Sequence, residues 1–320
     1  MLNPRSQHGF TLIEAILTLL IMSIMATAMS TFIVGPVTGY INAAQVSSTV
    51  DDGARILQNV SRDLRGAVPN TLRVKASPGQ YPAIEFVPVL AALTYRAAGG
   101  NNLAFDQAVS EFDVIGDYSS QLSAAQVAGD ALGMVIFQQN AYTSGNYDQP
   151  MAGLNIYNAA TSAGPYPAAG THVALPASNN LTVGQTSVAK FSAGWSGNIP
   201  EATSITLTAP FQFAFDSPQQ KAFIFDRTAS PVTYLCDLNQ GTLTRYWGYS
   251  FSVVEPNSST SAPLSGANNA VVANNVASCS FTYAPGVSYR AAVVTIYLGL
   301  KNNNGSTMLL IQEVQLPSSP

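Results

Sequence analysis

The chain begins with a long apolar run, passes into an amphipathic stripe and then changes to alternation. Phe10–Val34 is apolar or hydroxylic apart from Glu14. As a helix it reaches roughly 37 Å, enough to cross a bilayer with some tilt. No Asp, Glu, Lys or Arg occurs from Ala15 to Val50. Further on, Ile56, Leu57, Val60, Leu64 and Val68 recur at three- and four-residue spacing, which predicts an amphipathic continuation of the helix over 35–68. Asp51 and Arg55 stand at i, i+4 on its polar face, a pairing worth a few tenths of a kcal/mol. Gly66 and Pro69 supply a stop. Gly35-Pro36 and Gly39 interrupt the middle. Pro36 lacks an N–H and crowds the carbonyl of Phe32, so a kink or frayed turn is expected there.

After Pro69 the period becomes that of strands. Ala83–Tyr95, Ala131–Gln138, Ser204–Phe215 and Lys221–Asp226 read as β-rich segments. Between about Gly99 and Pro200 the chain is rich in Ala, Gly, Asn, Ser and Pro with scattered short strands, which reads as loops inserted on a sheet scaffold. Val232–Leu238 and Thr242–Phe251 flank Asn239-Gln240-Gly241, a hairpin with glycine at the position that needs positive φ. Ala277–Tyr283, Ala292–Leu300 and Met308–Leu316 form a final series, the last two joined by the turn Lys301–Ser306. The predicted class is α+β: a long N-terminal helix packed on a β-rich head of antiparallel sheets. Its divisions are a leader over 1–9, a membrane segment over 10–34, an amphipathic segment over 35–68 and a globular domain over 69–320.

Charge changes this picture little and narrows the function. Only 9% of the 320 residues are charged and the net charge is −4, against roughly 25% charged residues in soluble domains. There is no basic cluster for nucleic acid to bind. The two cysteines, Cys236 and Cys279, fit one disulfide in an exported chain, with two buried thiols as the alternative. Neither a CxxC nor a Cys/His cluster supports zinc or redox chemistry.

Glu14 is the anomaly. A carboxylate in the apolar region costs roughly 2.5–3.5 kcal/mol at the bilayer centre, so it needs a function and a partner. A secretory signal peptide, with Ala26-Thr27-Ala28 as cleavage site, leaves it unexplained, as does a plain signal anchor. Arg5 and His8 before the run place the leader inside by a weak positive-inside signal. Gly9-Phe10-Thr11-Leu12-Ile13-Glu14-Ala15 resembles the cleavage-and-methylation signature of type IV prepilins and type II secretion pseudopilins. The resemblance implies that a prepilin peptidase cuts between Gly9 and Phe10 and methylates the new amine of Phe10. That amine, on the same or a neighbouring chain, is the counter-charge that Glu14 lacks.

Two further stretches extend the resemblance. Arg62-Asp63-Leu64-Arg65 with Ala67-Val68-Pro69 resembles the end of the long helix in J-type minor pseudopilins, which makes Arg62 and Arg65 either partner contacts or a solvated face. Tyr234-Leu235-Cys236-Asp237, Gly241–Tyr246, Cys279–Tyr283 and Arg290-Ala291 resemble minor pilins of the mannose-sensitive haemagglutinin (MSHA) pilus. The likeness covers the first 75 residues and about the last 100. It implies a non-enzymatic minor pilin in the inner membrane with a periplasmic head, acting in pilus initiation within a tip complex. Its partners would be the prepilin peptidase, other minor pilins, the major pilin and membrane lipid, with no nucleic acid and no cofactor. A type II secretion pseudopilin is the near alternative, and a glycan-binding tip adhesin the alternative of another class.

Catalytic groups are scarce, and no catalytic or metal residue is assigned. His172 stands alone once the leader is removed, and is read as a strand or loop residue. Asp106, Glu111, Asp113 and Asp117 are read as solvated loop charge, with calcium binding as the alternative. Asp237-x-Asn239-x-Gly241 mimics the start of a calcium loop but is read as the hairpin turn. Trp195, Trp247 and Tyr249 could stack on sugars, although packing explains them as well.

Overall fold

A computed structural model of the chain describes residues 10–69, 71–75, 79–115, 122, 132–136, 157, 169–170, 172–174, 202–213, 216–226, 231–252, 254, 256–284, 291–302 and 304–316. Helix α1 (Leu12–Arg65) is a single element of 54 residues, about 81 Å long at about 1.5 Å per residue. The expected fraying at Gly35-Pro36 does not occur, and the helix runs on through both residues. Proline removes one N–H from the ladder, which does not end a cooperative helix with full turns on either side. There the Thr38 hydroxyl donates to the carbonyls of Val34 and Gly35 at 2.8 and 2.9 Å. The helix stops at Arg65, short of the expected Val68, because Gly66 turns its N–H back to the carbonyls of Arg62 and Asp63 at 3.3 and 3.1 Å. Val68 then leaves the helical stripe, and its N–H donates to Val87 at 2.7 Å.

Among the described residues fifteen strands follow: β1 (Arg73–Val74), β2 (Ala83–Phe86), β3 (Ala91–Tyr95), β4 (Val109–Ile115), β5 (Leu132–Val135), β6 (Ala169–Gly170), β7 (His172–Ala174), β8 (Ala202–Phe213), β9 (Lys221–Asp226), β10 (Val232–Asp237), β11 (Thr242–Trp247), β12 (Asn268–Ala273), β13 (Val276–Ala284), β14 (Val293–Lys301) and β15 (Thr307–Gln315). They form three sheets, in the orders β1-β2-β10-β11-β12, β13-β14-β15 and β6-β8-β4-β3-β9-β5-β7. Every pairing is antiparallel except β6 with β8. This is the α+β architecture of the sequence reading.

Two expectations change. Ala83–Tyr95 is two strands in different sheets, because Pro88 lies between them with no N–H to give a ladder. β2 pairs directly with β10, so the chain from β3 to β9 is an insertion between adjacent strands of the first sheet. That insertion has its own core of Tyr95, Phe112, Val114, Leu132, Met134, Phe213 and Ile224, and is more than loops on a scaffold.

The main core lies between the first two sheets and the last turns of α1. Leu57, Val60 and Leu64 of the helix meet Phe86, Val232 and Leu243 of the first sheet and Phe281, Ile296 and Leu298 of the second. A smaller cluster of Val68, Val87, Val135, Phe225 and Phe251 joins this lobe to the inserted sheet. Cys236 of β10 and Cys279 of β13 form a disulfide with Cα atoms 6.4 Å apart, fastening the β10–β11 hairpin to the terminal meander.

Candidate functional site

The sequence concentrates its unusual features on α1, and the structure divides that helix in two. From Leu12 to Ala44 every described side chain is exposed, although the stretch is mostly apolar. Phe10 is 81% exposed, and Ile13, Leu19, Met22, Ile24 and Phe32 stand out similarly. This free rod is about 50 Å long, more than a bilayer's hydrocarbon thickness of about 30 Å. Several of its hydroxyls are internally satisfied. Thr18, Ser23, Thr27 and Ser30 each donate to a carbonyl three residues back, at 2.8–2.9 Å. Such back-bonding lets hydroxyl groups sit in hydrocarbon.

Glu14 has no such provision. It stands in the first turn of α1, exposed, and no cation faces it among the described residues. Thr11 caps the helix, its Oγ1 accepting from the Glu14 N–H at 3.4 Å. The Thr-x-x-Glu spacing of a capping box is therefore present, a signal that the sequence carried beside the processing motif. Gly9 lies outside the described residues. Phe10, the residue expected to become the new terminus, immediately precedes the cap.

The second half of α1 is fastened to the head at three levels. Asn304, in the β14–β15 turn, donates through Nδ2 to Asn42 Oδ1 at 2.5 Å. That turn is the predicted Lys301–Ser306 element, with Gly305 at φ 81° and Asn302 Oδ1 accepting from Asn304 and Ser306 N–H groups. Higher up, Gly53 lets the helix approach the terminal meander closely. A Cβ there would stand 2.2 Å from Leu310 Cδ1 and 3.2 Å from Leu300 Cδ1. At the top, Asp63 Oδ2 accepts from the Tyr234 hydroxyl and from Arg245 Nε, both at 2.8 Å. Burial, and then the hydrogen bond to Asp63, hold the Tyr234 phenol well above its ordinary pKa. Arg245 also lies 5.2 Å from the Trp247 ring centroid.

Sequence reasoning grouped Asp63 with its charged neighbours and missed this anchor. The available signal was phase, since Ile56, Val60 and Asp63 share the inward side. Arg62 and Arg65 are both exposed, Arg62 donating to Asn59 Oδ1 at 2.9 Å. Asp51 and Arg55 are exposed too, with no ion pair between them among the described residues.

The other candidates disperse. Asp113 is not solvated loop charge: it is buried on β4 and faces Arg96 Nε at 3.8 Å. Asp106 and Glu111 are exposed, and Asp117 lies outside the described residues. No group of three or more potential metal-ligating side chains occurs among the described residues. Asp237 Oδ1 accepts from the N–H groups of Asn239 and Gln240 at 3.0 and 3.1 Å, with Gly241 at φ 65°. That string is the hairpin turn. His172 is on β7, opposite Val135.

Tyr249 is buried rather than offered to a ligand, its hydroxyl donating to Glu85 Oε1 at 2.9 Å and touching Thr233 Oγ1. Trp247 is half-buried against the main core, and Trp195 lies outside the described residues. Glu85 also bonds Arg73, whose guanidinium lies 3.8 Å from the Tyr157 ring centroid, so this network is interior.

Comparison with known proteins bears on the N terminus. Residues 4–30 match the family model described as the prokaryotic N-terminal methylation motif. The match supports a type IV pilin- or pseudopilin-like protein. The matched stretch covers Gly9, Phe10 and Glu14 and runs into the exposed half of α1. The motif implies processing by a prepilin peptidase and assembly with pilin-type partners, and α1, the one helix among the described residues long and apolar enough to cross a membrane, fits membrane anchoring. No curated protein and no solved structure matches the chain.

Proposed function

We propose that the chain is a structural, non-enzymatic pilus subunit, a minor pilin. Prepilin peptidase cuts between Gly9 and Phe10 and methylates the Phe10 amine. The free half of α1 holds the subunit in the inner membrane with its head in the periplasm. Glu14 then pairs with the Phe10 amine of a neighbouring subunit, and helices pack side by side as the subunit leaves the membrane. The observation that carries this reading is the methylation motif lying on a helix whose apolar half is exposed in its own chain.

Within that reading we assign the chain to the MSHA type, beside the minor pilin MshO, and to a tip complex that primes assembly. The support is the resemblance of the β10–β11 hairpin and of the strands around Cys279, which the disulfide joins. A J-like pseudopilin of type II secretion shares the N-terminal features. Recovery in filaments sheared from the cell surface favours the pilus, and retention in the envelope favours the pseudopilin.

The test of assembly is Glu14→Ala. The variant should insert and be processed yet be lost from sheared filaments. Normal incorporation would refute the ion pair.

A further inference from the structure

The three sheets have six edges among the described strands, and five of them are blunted. β1, β6 and β7 have two, two and three residues. β12 and β13 each carry a register shift against a neighbouring strand, beside Leu243 and Val276 respectively. Short or bulged edges of this kind resist the addition of another strand. β15 differs. It has nine residues and contains no Pro, Gly, Lys or Arg. Its register with β14 is unbroken, from Thr307 opposite Lys301 to Gln315 opposite Val293.

The phase of the hydrogen bonds fixes what that edge offers. Asn302 N–H donates to the Ser306 carbonyl at one end of the β14–β15 ladder, and Leu316 N–H to the Ala292 carbonyl at the other, both at 2.9 Å. Antiparallel pairs alternate, so Met308, Leu310, Gln312 and Val314 turn their N–H and C=O groups to β14. Thr307, Leu309, Ile311, Glu313 and Gln315 turn theirs outward, at a spacing of about 6.8 Å. No strand meets them among the described residues. The side chains of the same five residues are exposed, Leu309 at 61% and Ile311 at 57%. An apolar pair thus stands beside a row of open backbone donors and acceptors, and an extended chain is the partner that satisfies both. Glu313 is the one charge on the strand.

Direction narrows the occupant. Asn304 meets Asn42 and Leu310 lies against Gly53, so β15 rises along α1, away from its apolar half. Two copies anchored in one membrane both present β15 rising, which excludes a two-fold antiparallel β15–β15 pair. We propose that the outer edge of β15 receives a descending strand of a different subunit, with a basic residue opposite Glu313 and apolar residues opposite Ile311 and Leu309. The proposal rests on the assembly reading above, which supplies that neighbour, and charge complementarity at Glu313 sets its register. In the partner's chain order the recognised stretch reads basic, any, apolar, any, apolar.

The test uses the full-length chain in detergent and a fluorescent seven-residue peptide with lysine first, valine third, isoleucine fifth, threonine seventh and serine elsewhere. Its anisotropy should rise to saturation. N-methylation of the third and fifth residues removes two donors to β15 and should weaken binding about five- to a hundred-fold. Glu313→Lys should weaken it about two- to five-fold, and a peptide with glutamate first should recover the loss. No saturation up to about 1 mM peptide, or equal binding of the N-methylated peptide, overturns the site. In cells, a photo-crosslinking residue at position 309 should join the chain to a different subunit within a stretch of that pattern. A product of two copies of this chain overturns the assigned partner. Sheared filaments keep the two claims apart: a chain present in filaments that binds no peptide refutes the edge site alone, and a chain that binds peptide but is absent from filaments refutes the assembly reading.

Discussion

Replacing Asp63 by alanine tests how the helix is held to the head. Two hydrogen bonds of 2.8 Å converge on its Oδ2, from Tyr234 and from Arg245. The Asp63 and Arg245 side chains are 26% and 31% exposed, so solvent takes over part of the ion pair and its share is small. Tyr234 is different, being only 2% exposed. Its hydroxyl would lose its acceptor where water has little access, a loss of about 1–3 kcal/mol. Together the expected cost of Asp63→Ala is about 2–3 kcal/mol. Tyr234→Phe alone should cost about 1 kcal/mol, the usual net worth of a hydrogen bond. The double variant should be no less stable than Asp63→Ala, because phenylalanine has no hydroxyl to strand. The assay is thermal melting of the detergent-solubilised chain in a Trp195→Phe background, which leaves Trp247, next to Arg245, as the single tryptophan emitter. At about 2–4 °C per kcal/mol for a chain of this size, Asp63→Ala should lower the midpoint by about 4–12 °C. A shift below about 1 °C, or full additivity with Tyr234→Phe, refutes the reasoning.

Other consequences follow from named contacts. Gly53→Val should destabilise the lobe by about 2 kcal/mol through overpacking, and Leu310→Ala should relieve it in the same melting assay, since Leu310 Cδ1 occupies the space a Cβ needs. Cys236→Ser with Cys279→Ser should cost about 4 kcal/mol on the chain-entropy model for a separation of 43 residues, read as a lower urea midpoint. Burial raises the phenol pKa of Tyr95, Tyr157, Tyr234 and Tyr249 in the folded chain. Below about pH 10 both states keep these protons; above it the unfolded chain releases them first. Stability should then fall with pH by up to about 1.4 kcal/mol per unit for each tyrosine. In a phenolate absorbance titration these groups should ionise together with unfolding, and independent titration near pH 10 would contradict their burial.

The elements that declare themselves through local pattern were legible in the sequence. The helix stripe of Leu57, Val60 and Leu64, the Asn239–Gly241 hairpin and the terminal meander each repeat a short-range period or a turn with a steric requirement. The insertion between β2 and β10 was not legible, because the pairing of Thr233 with Glu85 spans the whole middle of the chain. Pro88 marked the break without saying that the strands part company. β12 was missed because Asn268-Asn269 begins it and its outer face is exposed, so it carries little apolar alternation. Asp113 misled for the opposite reason: three nearby acids suggested solvent, while its partner Arg96 comes from the neighbouring strand's end. At the functional end, the stretch holding Gly9, Phe10 and Glu14 was legible because the methylation motif it matches is linear. Asp63 and Gly53 act through distant strands and leave only helical phase as a clue.

The central claim is that Glu14 acquires its counter-charge when the leader is cut away. Intact mass spectrometry of the membrane-extracted protein, with fragmentation of its N-terminal peptide, tests it most directly. The account predicts a chain that begins at Phe10 and carries one methyl group on its α-amine. A chain that begins at Met29, or one that retains Met1, would contradict it.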